Sequence, residues 1–273
     1  MRNDVAFGQY YPANSFVHKL DPRVKILLLI AYIVLIFVIR NFLGFAVAIA
    51  LLALAVAFSG VPVMKVVKSI RAILFIIIIT FIINLLLHRE EGETPFFEWW
   101  IFAVTPSSIR LSLFMALRLI SLVMGSSVLT LTTTPVRLTD GIESLLYPLK
   151  LIKFPVHELA LVMSIALRFI PTLMEETERI ISAQKARGAD FESGNLFSRI
   201  KSLVPILIPL IVSAFRRADE LGEAMESRCY TGSKNRTKYK KLTLGYRDAI
   251  ATLVVAAAFV GVIMLNIYGV NVI

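Results

Sequence analysis

Two arginines, each set between small residues at the end of a helical pattern, are the side chains here most suited to chemistry. They lie in Ala186-Arg187-Gly188 and, 41 residues later, in Ser227-Arg228-Cys229. A guanidinium is a planar fork of fixed donors matched to carboxylates and carbonyls, and small neighbours let it enter a groove without a steric collar. The chemistry open to such a pair is recognition, with no bond made or broken. A cation in the last turn of a helix also complements the helix dipole, an effect of about 0.3–1 kcal/mol that needs no partner. Finding the arrangement twice favours recognition, because arginine is enriched among the residues that dominate interfaces. Cys229 serves as the small neighbour, since a free cysteine behaves as a small hydrophobe.

Signals for catalysis are missing. No G-x-x-x-x-G-K-[ST] phosphate loop occurs, His18, His88 and His157 are scattered without metal-ligand spacing, and no Ser/His/Asp arrangement can be picked out. The expectation is a protein that is not an enzyme, with no catalytic residues, no metal and no cofactor. The single cysteine cannot form an intrachain disulfide.

The elements that must position the arginines are those of a membrane protein. A hydrophobic content of 57% and a mean hydropathy of +0.76 exceed what a soluble domain carries. Apolar runs at 24–39, 42–58, 72–87, 108–131 and 249–268 predict five spans. Asp21-Pro22 reads as a helix cap followed by proline at the first helical position, and Arg40-Asn41 as a tight turn. Phe96, Phe97, Trp99, Trp100 and Phe102 sit where an interfacial aromatic belt would lie. The fold class expected is thus an all-α integral membrane protein of about five transmembrane helices. A charged helical segment stands between the fourth and fifth.

That segment, 132–248, holds 18 of the 29 Lys and Arg and 13 of the 19 Asp and Glu. The domain reading is therefore 1–131 for leader and first four spans, 132–248 for the charged segment, and 249–273 for the last span. Helices are predicted from about 139 to 147, from 156 to 185 or 187 with an interruption or kink near Pro171, and from 196 to 228. Gly188 and Gly232 are read as their stops. Apolar runs 159–170 and 203–215 are shorter than the roughly 17 residues a crossing needs and suit buried or membrane-surface helices.

The net charge of +10 has a topological cause. Lys65, Lys68 and Arg71 and the long segment are basic, while the loop at 88–98 is acidic, so the positive-inside rule places the N-terminus and the long segment in the cytoplasm. No nucleic-acid partner is expected. The first 22 residues lack a signal-peptide layout. The five expected spans contain no Asp or Glu, whereas ion-coupled carriers usually place ionisable groups there, so secondary transport is disfavoured. Arg110 and Arg118 require interface snorkelling or a polar partner. A membrane scaffold whose basic loops bind anionic lipid is a third class.

Motifs along nearly the whole chain resemble the transmembrane (T) component of energy-coupling factor (ECF) transporters, the group that includes the cobalt/nickel permease component. These are Gly8-Gln9-Tyr10-Tyr11-Pro12, Ser15, His18, Leu20-Asp21-Pro22-Arg23 and Lys25, then Arg168-Phe169-Ile170-Pro171-Thr172-Leu173 with Glu175-Glu176, and Ala186-Arg187-Gly188. Ser227-Arg228-Cys229 keeps the arginine and small flanks but departs from Ala-Arg-Gly. The resemblance implies a non-catalytic coupling subunit of a multi-pass prokaryotic membrane importer for vitamins or micronutrients. Its partners would be two cytoplasmic ABC ATPases, a membrane-embedded substrate-binding S component and the bilayer. It further implies that Arg187 engages one ATPase and Arg228 the other. A T component dedicated to a cobalt or nickel system is the nearest alternative.

Overall fold

The computed structural model describes residues 10–87, 97–99, 102–189, 191, 196–232 and 242–268. Their helices are α1 (Pro22–Val38), α2 (Phe42–Ser59), α3 (Val63–Leu87), α4 (Pro106–Thr132), α5 (Pro135–Leu146), α6 (Val156–Ala186), α7 (Leu196–Ser227) and α8 (Tyr246–Tyr268). A short antiparallel pair, β1 (Phe97–Trp99) with β2 (Phe102–Val104), precedes α4 and was not expected. Phe96 and Trp100 of the expected aromatic belt, Gly8 and Gln9 of the leader motif, and the tail 269–273 lie outside the described residues.

The chain forms two compact units, Met1–Leu145 with Leu242–Ile273 and Leu146–Lys241. Helix α5, apart from its last residue Leu146, falls in the first of them.

Among the described residues five helices are long and apolar enough to cross a membrane: α2, α3, α4, α6 and α8. Helix α1, with 17 residues, stands at the lower limit for crossing. Helix α6 was not expected in this set. It runs 31 residues without a break at Pro171, so the apolar run 159–170 is one stretch of a longer helix. Proline removes one backbone hydrogen bond, and here the turns on both sides keep the helix whole. Helix α3 also starts earlier than its apolar core suggests. Lys65, Lys68 and Arg71 lie on its first turns and not in a loop.

The core of the first unit is built from α1, α2, α4 and α8. Leu35, Ile36, Phe45, Ala48, Phe114 and Val262 are almost wholly inaccessible, and the Phe45 ring meets Phe114 edge-on at 4.8 Å. Helix α4 buries a small-residue face that includes Ser108, Ser112, Ser121, Gly125 and Ser127, the composition that lets membrane helices approach closely. A side chain at Gly125 would stand 2.4 Å from the Tyr32 ring, so only glycine admits α1 there.

Polar groups inside this unit close helix ends. Asn41 caps α2 through Gly44 N–H and donates to the Leu265 carbonyl, while Asn266 donates to Val38 O at 2.7 Å. Arg118 has the polar partner its position demands: Nη2 donates to Ile39 O at 3.2 Å, and its guanidinium lies 5.0 Å from the Phe114 ring. The carbonyls at the end of α1 are thereby satisfied. Arg110 is exposed.

The leader motif forms a knot at the opposite end of α1. Asp21 caps α1 by accepting from Arg23 N–H at 2.9 Å, with Pro22 at the first position, as its sequence predicts. His18 is buried, with Nε2 2.9 Å from the Tyr11 carbonyl and Nδ1 2.7 Å from Ser15 Oγ. A carbonyl can only accept, so in the neutral ring Nε2 carries the proton. Tyr11 N–H donates to Leu131 O at the end of α4, and the Lys65 ammonium sits 4.2 Å over the Tyr11 ring. Lys25, 6% exposed, donates to Thr132 O and Thr133 Oγ1 at 3.0 and 3.2 Å. A cation is thus held on the C-terminus of α4, where the helix dipole favours it. Asp248 closes two helix starts at once. Its Oδ2 accepts the Gly245 N–H at the head of α8, and its Oδ1 accepts the Asp21 N–H at the head of α1.

Candidate functional site

Both arginine triplets belong to the second unit, at the ends of α6 and α7. The two helices pack together. Arg217 Nη2 meets Glu176 Oε2 at 2.8 Å, and Gln184 Nε2 reaches Pro205 O at a long 3.5 Å. The second contact has a backbone cause. Pro209 has no N–H to give the carbonyl four residues before it, and that carbonyl belongs to Pro205. The acceptor freed inside α7 is taken by a side chain from α6. With both partners near 30% exposed, the ion pair adds at most about 1 kcal/mol and mainly fixes register.

These two contacts set the sense of the pair. Moving from Gln184 back to Glu176 on α6 corresponds to moving from Pro205 forward to Arg217 on α7, so the helices run antiparallel. Arg187 lies three residues beyond the first contact and Arg228 eleven residues beyond the second, in opposite directions. At 1.5 Å per residue the two arginines are separated by on the order of 30 Å along the helices. The structure does not gather them into one site. It puts them at opposite ends of the helix pair.

The ends are built alike. In α6 the Gly188 N–H donates to Lys185 O at 3.0 Å and the Ala189 N–H to Gln184 O at 3.0 Å. In α7 the Cys229 N–H donates to Glu226 O at 2.8 Å and the Tyr230 N–H to Met225 O at 3.0 Å. Each is a Schellman closure, with Ala186 or Ser227 as last helical residue, arginine as the cap, and the third triplet residue in the left-handed conformation. Gly188 has φ +85° and Cys229 has φ +58°. All six triplet residues are exposed, and among the described residues neither guanidinium has an ion-pair partner.

This geometry corrects one expectation and explains another. The stop of α7 is Cys229, two residues before Thr231-Gly232; Gly232 also has positive φ but lies past the closure. The third triplet position is small for a backbone reason as well as a steric one. It must turn left-handed, which glycine does freely and other L-residues do at a cost of roughly 1–2 kcal/mol. Replacing Cys229 with glycine therefore relieves strain, and Gly188→Ala introduces it even though nothing lies within 4 Å of the added carbon. The expected outcome is slower amide exchange in the last turn of α7 for Cys229→Gly and faster exchange in that of α6 for Gly188→Ala, each by about five- to thirtyfold. Equal exchange in variant and parent would mean the left-handed turns are not what closes these helices.

Fold and composition together define a multi-pass α-helical membrane protein. A family model described as cobalt transport protein (CbiQ) matches residues 13–239. The energy-coupling factor transporter transmembrane protein EcfT of Clostridium kluyveri is 49% identical over 253 residues, covering 93% of each chain. The protein of the same name from Ruminiclostridium cellulolyticum is 47% identical over 266 residues, 97% of this chain and 98% of that one. That of Bacillus subtilis is 44% identical over 260 residues, 94% and 97% of the two chains. The chain belongs to this family, and it is a transmembrane component of an energy-coupling factor transporter.

Proposed function

We propose that this subunit couples ATP hydrolysis by two cytoplasmic ABC ATPases to a separate membrane-embedded substrate-binding S component, for uptake of a vitamin or micronutrient into a prokaryotic cell. Hydrolysis belongs to the partners. Arg187 docks in a groove of one ATPase and Arg228 in the equivalent groove of the other, with Ala186, Gly188, Ser227 and Cys229 keeping the approach open. The observation that carries this reading is the antiparallel α6–α7 pair with an arginine-capped Schellman turn at each far end. Two like tips, at opposite ends of one helix pair, match two like partners that approach and separate. When the ATPases close, the tips move together and the helices carry that motion along their length.

The apolar parts of α6 and α7 supply a surface for the S component. Leu159, Val162 and Met163 on α6, and Leu203, Leu207 and Ile211 on α7, are exposed. The segment 132–248 faces the cytoplasm together with the N-terminus, an orientation supported by the basic residues at 65, 68 and 71 and by positive-inside bias. The match to a family described as cobalt transport protein favours one second reading, a component dedicated to a metal-ion importer. The arginine chemistry is the same in both.

Co-purification in mild detergent tests the proposal and separates the two readings. The expected companions are two nucleotide-binding chains and one small membrane protein, and the last of these identifies the substrate class. Recovery of the chain alone, with uphill solute uptake in vesicles lacking any ATPase, would identify a stand-alone carrier instead.

A further inference from the structure

The first unit contains an apolar slot of about 410 Å³, enclosed by the leader and by α1, α2, α4 and α8. Its volume falls within the range of ordinary ligand sites. Along α1 it extends from Lys25 to Tyr32, seven residues or roughly 10 Å, parallel to the helix. Its walls are aliphatic, Leu28, Leu129 and Val254 among them, and Gly125 stands beside Tyr32 at its inner end. It opens past Leu54, Phe58 and Ile250, each about half exposed.

Only one end is polar, and that end is cationic. Lys25 and Thr132 line it. The Lys25 ammonium has three protons, and two are placed, on Thr132 O and Thr133 Oγ1. Arg137 lies near enough to act on the charge of Lys25, Lys19 and Arg23 sit within two residues of slot-lining positions, and Arg247 is three residues from Ile250. Two carboxylates, Asp21 and Asp248, offset part of this charge, each held in place by backbone N–H groups, and are fewer than the cations. A narrow hydrocarbon slot with a cationic end beside helix starts is complementary to a fatty chain joined to an anionic headgroup.

We propose that the slot is a lipid site that holds one acyl chain of an anionic phospholipid, with its headgroup at the Lys25 end. The occupant is a membrane lipid and not a free fatty acid, because Lys19 and Arg23 adjoin lining residues in addition to Lys25 in the wall, and together they call for a headgroup larger than a carboxylate. Bound there, the lipid fills the space between α1, α2 and α8 and joins the leader knot to the bilayer.

The test uses the full-length chain purified with its partner subunits and exchanged into phosphatidylglycerol, phosphatidylcholine or palmitate of matched chain length, with retained lipid counted by native mass spectrometry. The proposal expects about one phosphatidylglycerol per chain, preferred over phosphatidylcholine by about tenfold. Ala55→Trp and Ala251→Trp, which fill the slot, are expected to abolish retention, while Ala53→Trp, elsewhere on α2, leaves it unchanged. Phosphatidylglycerol carrying a photoreactive acyl chain, applied to the unaltered protein, is expected to label 51–58 and 125–132 in preference to α3. Equal retention of the two phospholipids, palmitate retained in place of phosphatidylglycerol, undiminished retention in the filled variants, or labelling concentrated on α3 would each overturn it.

Discussion

Replacing Arg187 or Arg228 with alanine is expected to weaken attachment of one ATPase subunit by about 2–4 kcal/mol, roughly thirty- to a thousandfold, as truncating an interface hot-spot arginine does. Each guanidinium is exposed at a helix end, so the substitution removes no internal contact of the second unit. The fold should survive. Loss of the cap charge costs that end only about 0.3–1 kcal/mol through the helix dipole, which separates docking from stability. Each single variant should co-purify with one ATPase in place of two, and the double variant with none. Both singles retaining two ATPases at unchanged affinity would leave the arginines with the dipole role alone.

The second large effect concerns the leader knot. Asp248→Ala is expected to destabilise the protein by about 2–5 kcal/mol, since each buried backbone N–H left unsatisfied costs about 1–3 kcal/mol. The Asp21 and Gly245 N–H groups lose their acceptor in the same step. Asp248→Asn retains one acceptor but presents an NH₂ to the other N–H, so most of the loss should persist. Thermal unfolding of the purified complex should show a fall in Tm on the order of 10 °C. A fall below about 2 °C would mean that water or lipid headgroups replace those bonds.

Much of this was legible in the residues, and what was not has identifiable causes. The Asp21-Pro22 cap is a local signal, read correctly because side chain and backbone are two residues apart. The ends of α6 and α7 were placed within about two residues by the small-Arg-small pattern. Of the interruption or kink expected at Pro171, the interruption is absent: a proline is a local punctuation mark, and the hydrogen bonds of the turns on either side carry α6 past it. Gly232 misled as a stop: glycine favours positive φ, but the chain turned earlier, at Cys229, and accepted the strain.

The role of Asp248 was hidden by distance. It pairs with Asp21 across 227 residues, and nothing in either neighbourhood announces the other. Its only local cue was an acidic residue at the first turn of a helix three places after a glycine, which matches the Gly245 bond. The leader motif carried the family resemblance, yet its residues serve packing: His18, Asp21 and Lys25 are buried in bonds to backbone. The opposed placement of Arg187 and Arg228 needed the antiparallel sense of α6 and α7, which two proline-bearing helices of similar length do not reveal on their own.

That opposed placement is also the most direct point of attack. With a photoreactive amino acid placed at 187 in one preparation and at 228 in another, and the two ATPase subunits carrying different tags, illumination of the assembled complex should join position 187 to one ATPase and position 228 to the other. With both positions loaded in one chain, a single product containing both ATPases is expected. Capture of the same ATPase copy by both positions, or of the S component in place of either, would contradict the account.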